Sequence, residues 1–293
     1  MSISVEGLIE KGILPSDTEV LSNHNNLVVR SNRERIVARI GELSIITTRD
    51  DPGDIAYAHN LSYSLSKVAP IVEPLSEKPE YLDDIIISTF PLRSEVDWGD
   101  ANSDELLAAT ESMNDALSYI EERHTLRELN VAQYVHERLR DAASTIRDRG
   151  ASMEKMYDFV YGKVELHGNR YPFGELTEDS PALVHGDLHA GNFVFSQDEK
   201  RVEIIDLDSI SKGPRLYDLA SWSLRRQLGD KAPVESIVDL AKKRKWWNSE
   251  AYRALVGWKA ISSMTHLIKY ESDPDFIYES INRIGVSELE LTG

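Results

Sequence analysis

The sequence predicts an α+β protein with two lobes, a β-rich N-terminal lobe and a mostly helical C-terminal lobe. Two observations lead to this fold class. Up to residue 93, short runs of aliphatic and β-branched residues alternate with turn residues, a pattern typical of strands. From residue 101 onward, apolar residues recur at helical spacing. We therefore expect lobes of residues 1–93 and 94–293.

Chain length and hydropathy limit the class of protein. With 293 residues, the chain is long enough to bury a sizeable core in two lobes. No segment approaches the ~18 to 20 uninterrupted apolar residues that a membrane helix requires. The first thirty residues also lack the pattern of a secretory signal. A cytoplasmic protein without a membrane partner is the expectation.

The charge of the chain restricts its partners. There are 50 acidic and 33 basic residues, which gives a net charge of −17. This excess argues against nucleic-acid binding, because such binding depends on basic residues that neutralise phosphates. It is compatible with a cationic substrate, although ordinary solubility explains the charge more simply. The sequence leaves the oligomeric state open.

The first lobe begins with a predicted helix over residues 3–13, which ends at a glycine. Three strands follow, at 19–21, 26–30 and 35–40, separated by turn residues. Arg39 stands in the third strand between apolar neighbours. Arginine stays charged at every relevant pH and can hold two oxygens at once. Arg39 is therefore either a ligand of anionic oxygens or an arginine on the exposed face of an edge strand.

The first lobe continues with a helix predicted over residues 51–67, which has a proline near its start. Asp54 shares one face of this helix with apolar residues at helical spacing, so we expect its side chain to point inward. Two more strands are predicted, at 72–75 and 84–90. The second of them runs directly into the link to the second lobe.

The second lobe consists mainly of amphipathic helices. Several are predicted between residues 101 and 166, followed by a polar loop over 167–181. This loop is rich in glycine, proline and acidic residues. Further helices are predicted near 215–227, 233–245, 249–270 and 274–284.

The strongest signal for function lies in the stretch from Val184 to Asn192, which reads VHGDLHAGN. Four residues separate Asp187 from Asn192, the spacing of the loop that performs phosphoryl transfer in kinases. In such a loop the aspartate accepts the proton of the attacking hydroxyl, and the asparagine gives a neutral oxygen to a metal ion. A single acidic residue in a loop is commonly a turn-former. Here residue type and spacing agree at five positions: His185, Gly186, Asp187, Asn192 and Asp206.

The segment between Asn192 and Asp206 supports this interpretation. Residues 193–195 and 202–205 are strand-like, and a polar turn joins them. A hairpin of this length returns the chain to the same end of the sheet, so Asn192 and Asp206 are expected side by side. Hard oxygen ligands of this kind suit Mg²⁺, which shares the phosphates of a nucleotide.

These motifs resemble the aminoglycoside phosphotransferase and choline kinase-like family, whose members have a two-lobed protein kinase-like fold. The family's loop, His-Gly-Asp-Leu-His-x-x-Asn, fits His185 to Asn192. Its metal-binding strand end, Ile-Asp-x-Asp, fits Ile205 to Asp208. The Gly/Pro-rich turn that leads into Asp-Leu-Ala at 218–220 is also similar. The resemblance is sharp between residues 182 and 222 and consistent in layout elsewhere.

The resemblance implies transfer of the γ-phosphoryl group of ATP, with GTP left open, to a hydroxyl of a small molecule in the presence of Mg²⁺. Asp187 is then the catalytic base, and Asn192 and Asp206 are the metal ligands. Asp218 is expected to accept hydrogen bonds from the backbone of the catalytic loop. Asp208 is either an acid near the metal or a turn-former. The residues expected to support the site are His185, His189, Asp208 and Asp218.

The resemblance also implies which residues bind the nucleotide. Arg39 stands where the family has a strand-borne cation that reaches the phosphates. Asp54 stands where the family usually has a glutamate that pairs with this cation, although aspartate is one methylene shorter. The backbone groups expected to bind the nucleotide base belong to Thr89, Phe90 and Leu92.

Among the functional classes, a small-molecule kinase is favoured, with an antibiotic, an amino alcohol or a sugar as acceptor. A protein kinase is disfavoured, because only eleven residues separate Asp206 from Asp218, too few for a segment that docks a polypeptide. A pseudokinase that acts as a binding or regulatory module usually lacks the base or a metal ligand, and here all are present. Several acids either face a cationic acceptor or face water: Glu175, Glu178, Asp179, Glu271, Asp273 and Asp275.

Overall fold

The computed structural model describes residues 4–23, 27–42, 55–98, 102–144, 146–227, 233–271 and 273–292. Contacts between residues divide the chain into two compact units, each assembled from separate stretches. The first unit comprises residues 1–97, 108–125 and 191–210, and the second comprises 98–107, 126–190 and 211–293. The lobe boundary near residue 93 refers to contiguous halves of the chain, and it stays a prediction.

The first unit is built on a five-stranded antiparallel sheet. Its strands are β1 (Glu19–Asn23), β2 (Leu27–Ser31), β3 (Ile36–Glu42), β4 (Glu80–Leu82) and β5 (Ile85–Pro91). They lie in the order β1-β2-β3-β5-β4. Helix α1 (Val5–Glu10) begins at Ser4, whose side chain caps it by accepting a hydrogen bond from the backbone N–H of Gly7. Leu8 of α1 joins an apolar cluster with Leu27, Ala38 and Ile40.

Helix α2 (Ile55–Leu65) packs against β3 and β5. Its His59 is fully buried, with Nε2 3.1 Å from the carbonyl oxygen of Ser76 and Nδ1 2.7 Å from Oγ of Ser88. A carbonyl oxygen can only accept, so Nε2 donates and Nδ1 accepts from the Ser88 hydroxyl. Burial lowers the pKa of His59. The residue is a hydrogen-bonded core histidine.

The strand predicted over residues 72–75 is wrong. Ile71 forms an isolated bridge with Ile204, and the N–H of Val72 donates to the Ile204 carbonyl at 3.1 Å. The N–H of Leu75 then donates to a different strand, at the carbonyl of Thr89. Pro74, which has no N–H to donate, stands between these two contacts, so the segment does not pair continuously with either strand.

The predicted hairpin is confirmed. Strands β8 (Phe193–Ser196) and β9 (Arg201–Ile204) pair antiparallel, with Phe193 opposite Ile204. Strand β6 (Ser94–Glu95) adds a third strand next to β8. The hairpin therefore returns the chain to the level of Asn192, as the spacing predicts.

The second unit is organised around α10 (Ser249–Tyr270), a helix of 22 residues. Asn248 caps it by accepting hydrogen bonds from the backbone N–H groups of Glu250 and Ala251. Much of α10 is buried, because four helices pack against it: α5 (Val131–Ala143), α6 (Ala151–Arg170), α8 (Tyr217–Gln227) and α11 (Pro274–Thr292). The remaining helices of the chain include α3 (Ser103–Asp115), α4 (Leu117–Glu121) and α9 (Val234–Ala241).

The loop predicted over residues 167–181 is wrong, because the segment contains the end of α6 and a further helix, α7 (Phe173–Asp179). Phe173 is buried and packs edge-on against Tyr217 and Trp258, with ring centroids 6.3 and 6.0 Å apart. One aromatic anchor thus holds a helix whose other residues are mostly polar. Strand β7 (Pro181–Val184) follows and pairs antiparallel with β10 (Ser211–Pro214).

The predicted α+β class is confirmed. An antiparallel sheet forms the N-terminal region, and helices dominate the C-terminal part of the chain. Of the helices in the described ranges, none combines the length and the apolar character needed to cross a membrane.

Two helical glycines give a matched test of this packing. A Cβ on Gly257 of α10 would lie 2.2 Å from Cε1 of His167, whose ring is held by the Ala254 carbonyl and packs on Trp258. Such overpacking costs roughly 1–3 kcal/mol. We therefore expect Gly257→Ala to lower the melting temperature.

The matched control is Gly162→Ala in α6. A Cβ at Gly162 meets no atom within 4 Å, so alanine should raise the stability by about 0.5–1 kcal/mol through its higher helix propensity. Thermal denaturation of both variants measures the difference. A Gly257→Ala protein at least as stable as Gly162→Ala would contradict this packing.

Candidate active site

A cavity of about 450 Å³ lies in the first unit. Side chains from β2, β3, β5 and α2 form its apolar wall, with Val28, Val37 and Ile55 among them. Its polar residues include Asn192 and Asp206, which flank the two ends of the β8–β9 hairpin. The cavity therefore combines an apolar wall with oxygen ligands, which is common in binding sites for small organic ligands.

Arg39 lines this cavity from β3, where two carboxylates hold its guanidinium. Nη1 lies 2.6 Å from Oδ1 of Asp208 and 3.1 Å from Oδ1 of Asp206, and Nη2 donates to Oδ2 of Asp208. The side chains of Arg39 and Asp208 are only 16% and 17% exposed. Burial lowers the pKa of Arg39, but the two carboxylates outweigh this effect and leave that pKa raised. The guanidinium is thus a fixed cation at the cavity.

Asp208 forms a bidentate ion pair with Arg39, a geometry that arginine and carboxylate groups favour. The sequence left two roles open for Asp208, an acid near the metal or a turn-former. The family resemblance left open whether Asp54 pairs with Arg39, and Asp54 lies outside the described residues. Among the described residues, Asp206 and Asp208 both form ion pairs with Arg39.

Asp206 and Asn192 lie at the same end of the hairpin. Asp206 has φ 65° and ψ 57°, a left-handed conformation that costs a non-glycine residue roughly 1 kcal/mol. Its side chain is 52% exposed. The backbone carbonyl of Asn192, a buried residue, accepts a hydrogen bond from the N–H of Ile205 at 3.0 Å. Both residues line the cavity, as their spacing predicts.

The three residues predicted to meet a nucleotide base differ in position. Phe90 and Leu92 line the cavity. The N–H of Leu92 is engaged by the carbonyl of Arg35 at 2.7 Å. Thr89 pairs with Ala38 inside the sheet, and its carbonyl accepts from Leu75. Phe90 pairs with Val37 in the same ladder, so the protein holds the backbone of this segment at all three residues.

The loop that carries Asp187 is fixed in the second unit by Asp218. The two oxygens of this buried carboxylate accept hydrogen bonds from the backbone N–H groups of His185 at 2.7 Å and Gly186 at 2.9 Å. This is the contact that the family resemblance implies. Burial raises the pKa of Asp218, although His185 and the two N–H donors oppose the rise. Gly186 has φ 85°, a left-handed conformation that glycine adopts without strain.

Asp187 lies between cations in the second unit. Nη2 of Arg225 is 2.7 Å and Nζ of Lys259 is 3.5 Å from the same oxygen, Oδ1. Burial raises the pKa of Asp187, but Lys259, Arg225 and His189 outweigh this effect, so the pKa is lowered. The backbone N–H of Asp187 also approaches Nδ1 of His185 at 3.4 Å. Asp187 is therefore an ionised carboxylate near neutral pH.

A family model described as "Phosphotransferase enzyme family" matches residues 96–255, more than half of the chain. The chain belongs to the phosphotransferase enzyme family. No curated protein matches the chain significantly in sequence.

Solved structures show the same fold as this phosphotransferase at low sequence identity. Amicoumacin kinase hAmiN is 14% identical with a TM-score of 0.66, over 99% of this chain and 93% of that one. A choline kinase from Cryptosporidium parvum Iowa II is 13% identical with a TM-score of 0.67, over 96% and 92%. Spectinomycin phosphotransferase APH(9)-Ia is 14% identical with a TM-score of 0.63, over 100% and 98%. The protein kinase-like fold predicted from the resemblance is thereby confirmed.

The donors in the cavity fit the Mg²⁺ ion that the family implies. Asn192 offers an amide oxygen and Asp206 a half-exposed carboxylate, both at the cavity. The described residues contain no cluster of three or more His, Cys, Asp or Glu side chains that could hold a metal. Mg²⁺ does not need such a cage, because it usually takes one or two protein ligands together with waters and phosphates.

Sequence reasoning missed two residues that contact Asp187 in this phosphotransferase, Arg225 and Lys259. Neither belongs to a motif, and each comes from a helix distant in sequence. One signal was present: Lys259 interrupts the apolar run of α10 from Leu255 to Ile261. Lysine is rarely buried unless it is paired, so this isolated cation indicates a partner of opposite charge.

The pairing of Arg39 with Asp208 predicts a stability effect. Removing one member of a largely buried ion pair costs about 3–5 kcal/mol, and Asp206 offsets part of it here. We therefore expect Asp208→Ala to lower the free energy of unfolding by about 2–4 kcal/mol, measured by urea denaturation.

The matched control is Glu19→Ala, which removes the partner of Arg30 in a pair with side chains 54% and 40% exposed. Exposed pairs contribute at most ~1 kcal/mol. Equal losses in Asp208→Ala and Glu19→Ala would show that the pair at Arg39 contributes no more than a surface contact.

Proposed function

We propose that this phosphotransferase is a small-molecule kinase, which transfers the γ-phosphoryl group of ATP to a hydroxyl group with the help of Mg²⁺. The observation that carries the proposal is the cavity that combines a fixed guanidinium, Arg39, with the oxygen ligands of Asn192 and Asp206. Two proteins of similar fold were crystallised with nucleotides, the amicoumacin kinase with AMP-PNP and the spectinomycin phosphotransferase with ADP. GTP is an alternative nucleotide.

In the first unit, the nucleotide base would pack against the apolar wall near Phe90 and Leu92. The phosphates would then face Arg39, whose guanidinium can hold two oxygens at once. When bound, Mg²⁺ neutralises the charge that develops on the phosphate oxygens. Asp206 and Asn192 would hold it, and Asp208 keeps Arg39 in position for the phosphates.

In the second unit, Asp187 would receive the acceptor. The carboxylate accepts a hydrogen bond from the acceptor hydroxyl, orients its oxygen and takes its proton. The lowered pKa keeps this group ionised, so it is ready to accept a proton at neutral pH. In a loose transition state the proton leaves late, and the main work of the carboxylate is then positioning and electrostatics. Asp218 fixes the backbone on which Asp187 stands.

The sequence supports this function over its two alternatives. The eleven residues between Asp206 and Asp218 are too few for the segment on which a protein kinase docks its substrate. They include the β10 strand, which pairs with β7 and is not available as a platform. A pseudokinase is disfavoured because the base and both metal ligands are retained. A kinase that draws on the ATP pool belongs in the cytoplasm, where we place this protein.

Asp187→Asn tests the assignment of the base. It keeps the shape of the side chain but removes the charge and the proton acceptor. General-base roles typically contribute ~10²- to 10⁴-fold, so we expect kcat to fall by about that factor. The affinity for Mg-ATP should stay nearly unchanged, because the residues assigned to the metal are Asn192 and Asp206. ADP release over a panel of hydroxyl compounds and a nucleotide titration measure both quantities.

Asp198→Asn is the control, because Asp198 lies exposed in the turn of the hairpin and should leave kcat unchanged. A turn-capping role for Asp187 would instead lower the melting temperature and leave kcat near that of the wild type. A kcat for Asp187→Asn within about threefold of the Asp198→Asn value would overturn the assignment.

A further inference from the structure

Lys259 is a cation in an apolar part of α10. Its side chain is 13% exposed, and the neighbouring Val256, Trp258, Ala260 and Ile261 are buried. Taking an ammonium group out of water is unfavourable unless it is paired. Its ion pair with Asp187 spans 3.5 Å, and the ammonium lies 5.9 Å from the ring centre of Tyr217. The proposed function assigns no task to this cation.

Asp187 does not balance the positive charge around it. Within the described residues, the ion pairs of both Lys259 and Arg225 end on one atom, Oδ1 of Asp187. One carboxylate therefore faces two cations. Asp218 is a further acid that acts on Lys259, and its two oxygens accept hydrogen bonds from the backbone of the catalytic loop.

Arg138 of α5 adds a third cation to this region. Its Nη1 donates to the carbonyl oxygen and to Oγ of Ser262, both at 3.1 Å, and Ser262 lies one turn after Lys259 on α10. The charges of Arg138, Lys259 and Asp187 all act on His266, one turn further along. Lys269, next on this helix, is paired with Asp141 at 2.7 Å. The basic side chains of Arg138, His266 and Lys269 are thus distributed along α10 beyond Lys259.

The region is accessible to a ligand. The side chains of Asp187 and Arg225 are 40% and 39% exposed. The chain as a whole carries a net charge of −17, so this local excess of cations runs against its composition. Three of the acids that the sequence offers for a cationic acceptor are exposed on α7: Glu175, Glu178 and Asp179. An ammonium group next to Asp187 would meet Lys259 and Arg225, which repel it.

We propose that Lys259 and Arg225, with Arg138 beside them, bind an anionic group of the acceptor, so that the substrate is a hydroxyl compound that carries a carboxylate or a phosphate. This inference rests on the proposed function and names the substrate class of the same site. It differs from the expectation of a cationic acceptor, which came from the charge of the whole chain and from the acidic segment before the catalytic loop. The bound anion pairs with the two cations, and the hydroxyl of the same molecule then meets Asp187.

Sulfate, a small divalent anion, tests this site directly. The melting temperature of the protein is measured with saturating Mg-ADP, in sodium sulfate and in sodium chloride of equal ionic strength. Mg-ADP keeps sulfate out of the nucleotide cavity. We expect sulfate to raise the melting temperature of the wild type and of Lys259→Arg, and the rise to disappear in Lys259→Gln and Arg225→Gln. Lys242→Gln, a change at an exposed cation on the same unit, should keep the rise.

A second arm separates the acceptor's anion from the transferred phosphoryl group. ADP release is measured with matched hydroxyl compounds that carry an acid, no charge or an amine, starting from glycerate, glycerol and 2-amino-1,3-propanediol. Lys259→Gln should raise KM for the best acid by about tenfold or more and leave KM for ATP unchanged. An equal fall in kcat for all three series would assign Lys259 to the phosphoryl group and overturn the proposal.

The outcomes also separate this proposal from the proposed function. If Mg-ADP itself gives no rise in melting temperature, both the kinase assignment and the proposed anionic acceptor are overturned. If Mg-ADP stabilises the protein but sulfate adds nothing, or adds as much to Lys259→Gln and Arg225→Gln as to the wild type, the anion site alone is overturned. An amine as the best acceptor would likewise overturn the anion site and leave the kinase assignment intact. Arg225 is half-exposed, so Arg225→Gln keeps the test valid if Lys259→Gln does not fold.

Discussion

The ion pair between Arg39 and Asp208, extended to Asp206, connects the sheet of the first unit to its hairpin. The partners lie 167 and 169 residues apart in the sequence. A guanidinium in this position does three things at once. It neutralises two carboxylates that would otherwise repel each other, it fixes the chain after β9, and it presents a cation to the cavity. These contacts hold the segment and so stabilise the left-handed backbone conformation of Asp206.

In the second unit, Asp218 holds the catalytic loop in place. Its carboxylate is buried, and the backbone N–H groups of His185 and Gly186 replace the water that it has lost. The loop cannot shift without leaving these groups unpaired, so Asp187 is presented by a rigid backbone. The charges around Asp187 are of the opposite sign to the charge of the whole chain. Net charge describes solubility, whereas the few groups within a hydrogen-bond distance decide what a site can bind.

The sequence predicted the parts of the site that depend on short-range spacing. Asp187 and Asn192 share one loop, and a hairpin of fixed length brings Asp206 back to Asn192. The contacts of Asp218 followed from the family resemblance. Arg225 and Lys259 were missed, because which helix face meets Asp187 is decided by packing of α8 and α10. The helix around Phe173 was missed for a related reason, since a single buried ring outweighs the polar residues beside it.

The proposed metal site is tested by the dissociation constant of ATP, measured by calorimetry with and without Mg²⁺ for the wild type and Asp206→Asn. We propose that Arg39 binds the phosphates and that Asp206 and Asn192 bind the metal. Mg²⁺ should therefore tighten ATP binding to the wild type and have little effect on binding to Asp206→Asn, with the fold of both proteins intact. Equal tightening by Mg²⁺ in the two proteins, or no ATP binding by the wild type, would contradict this proposal.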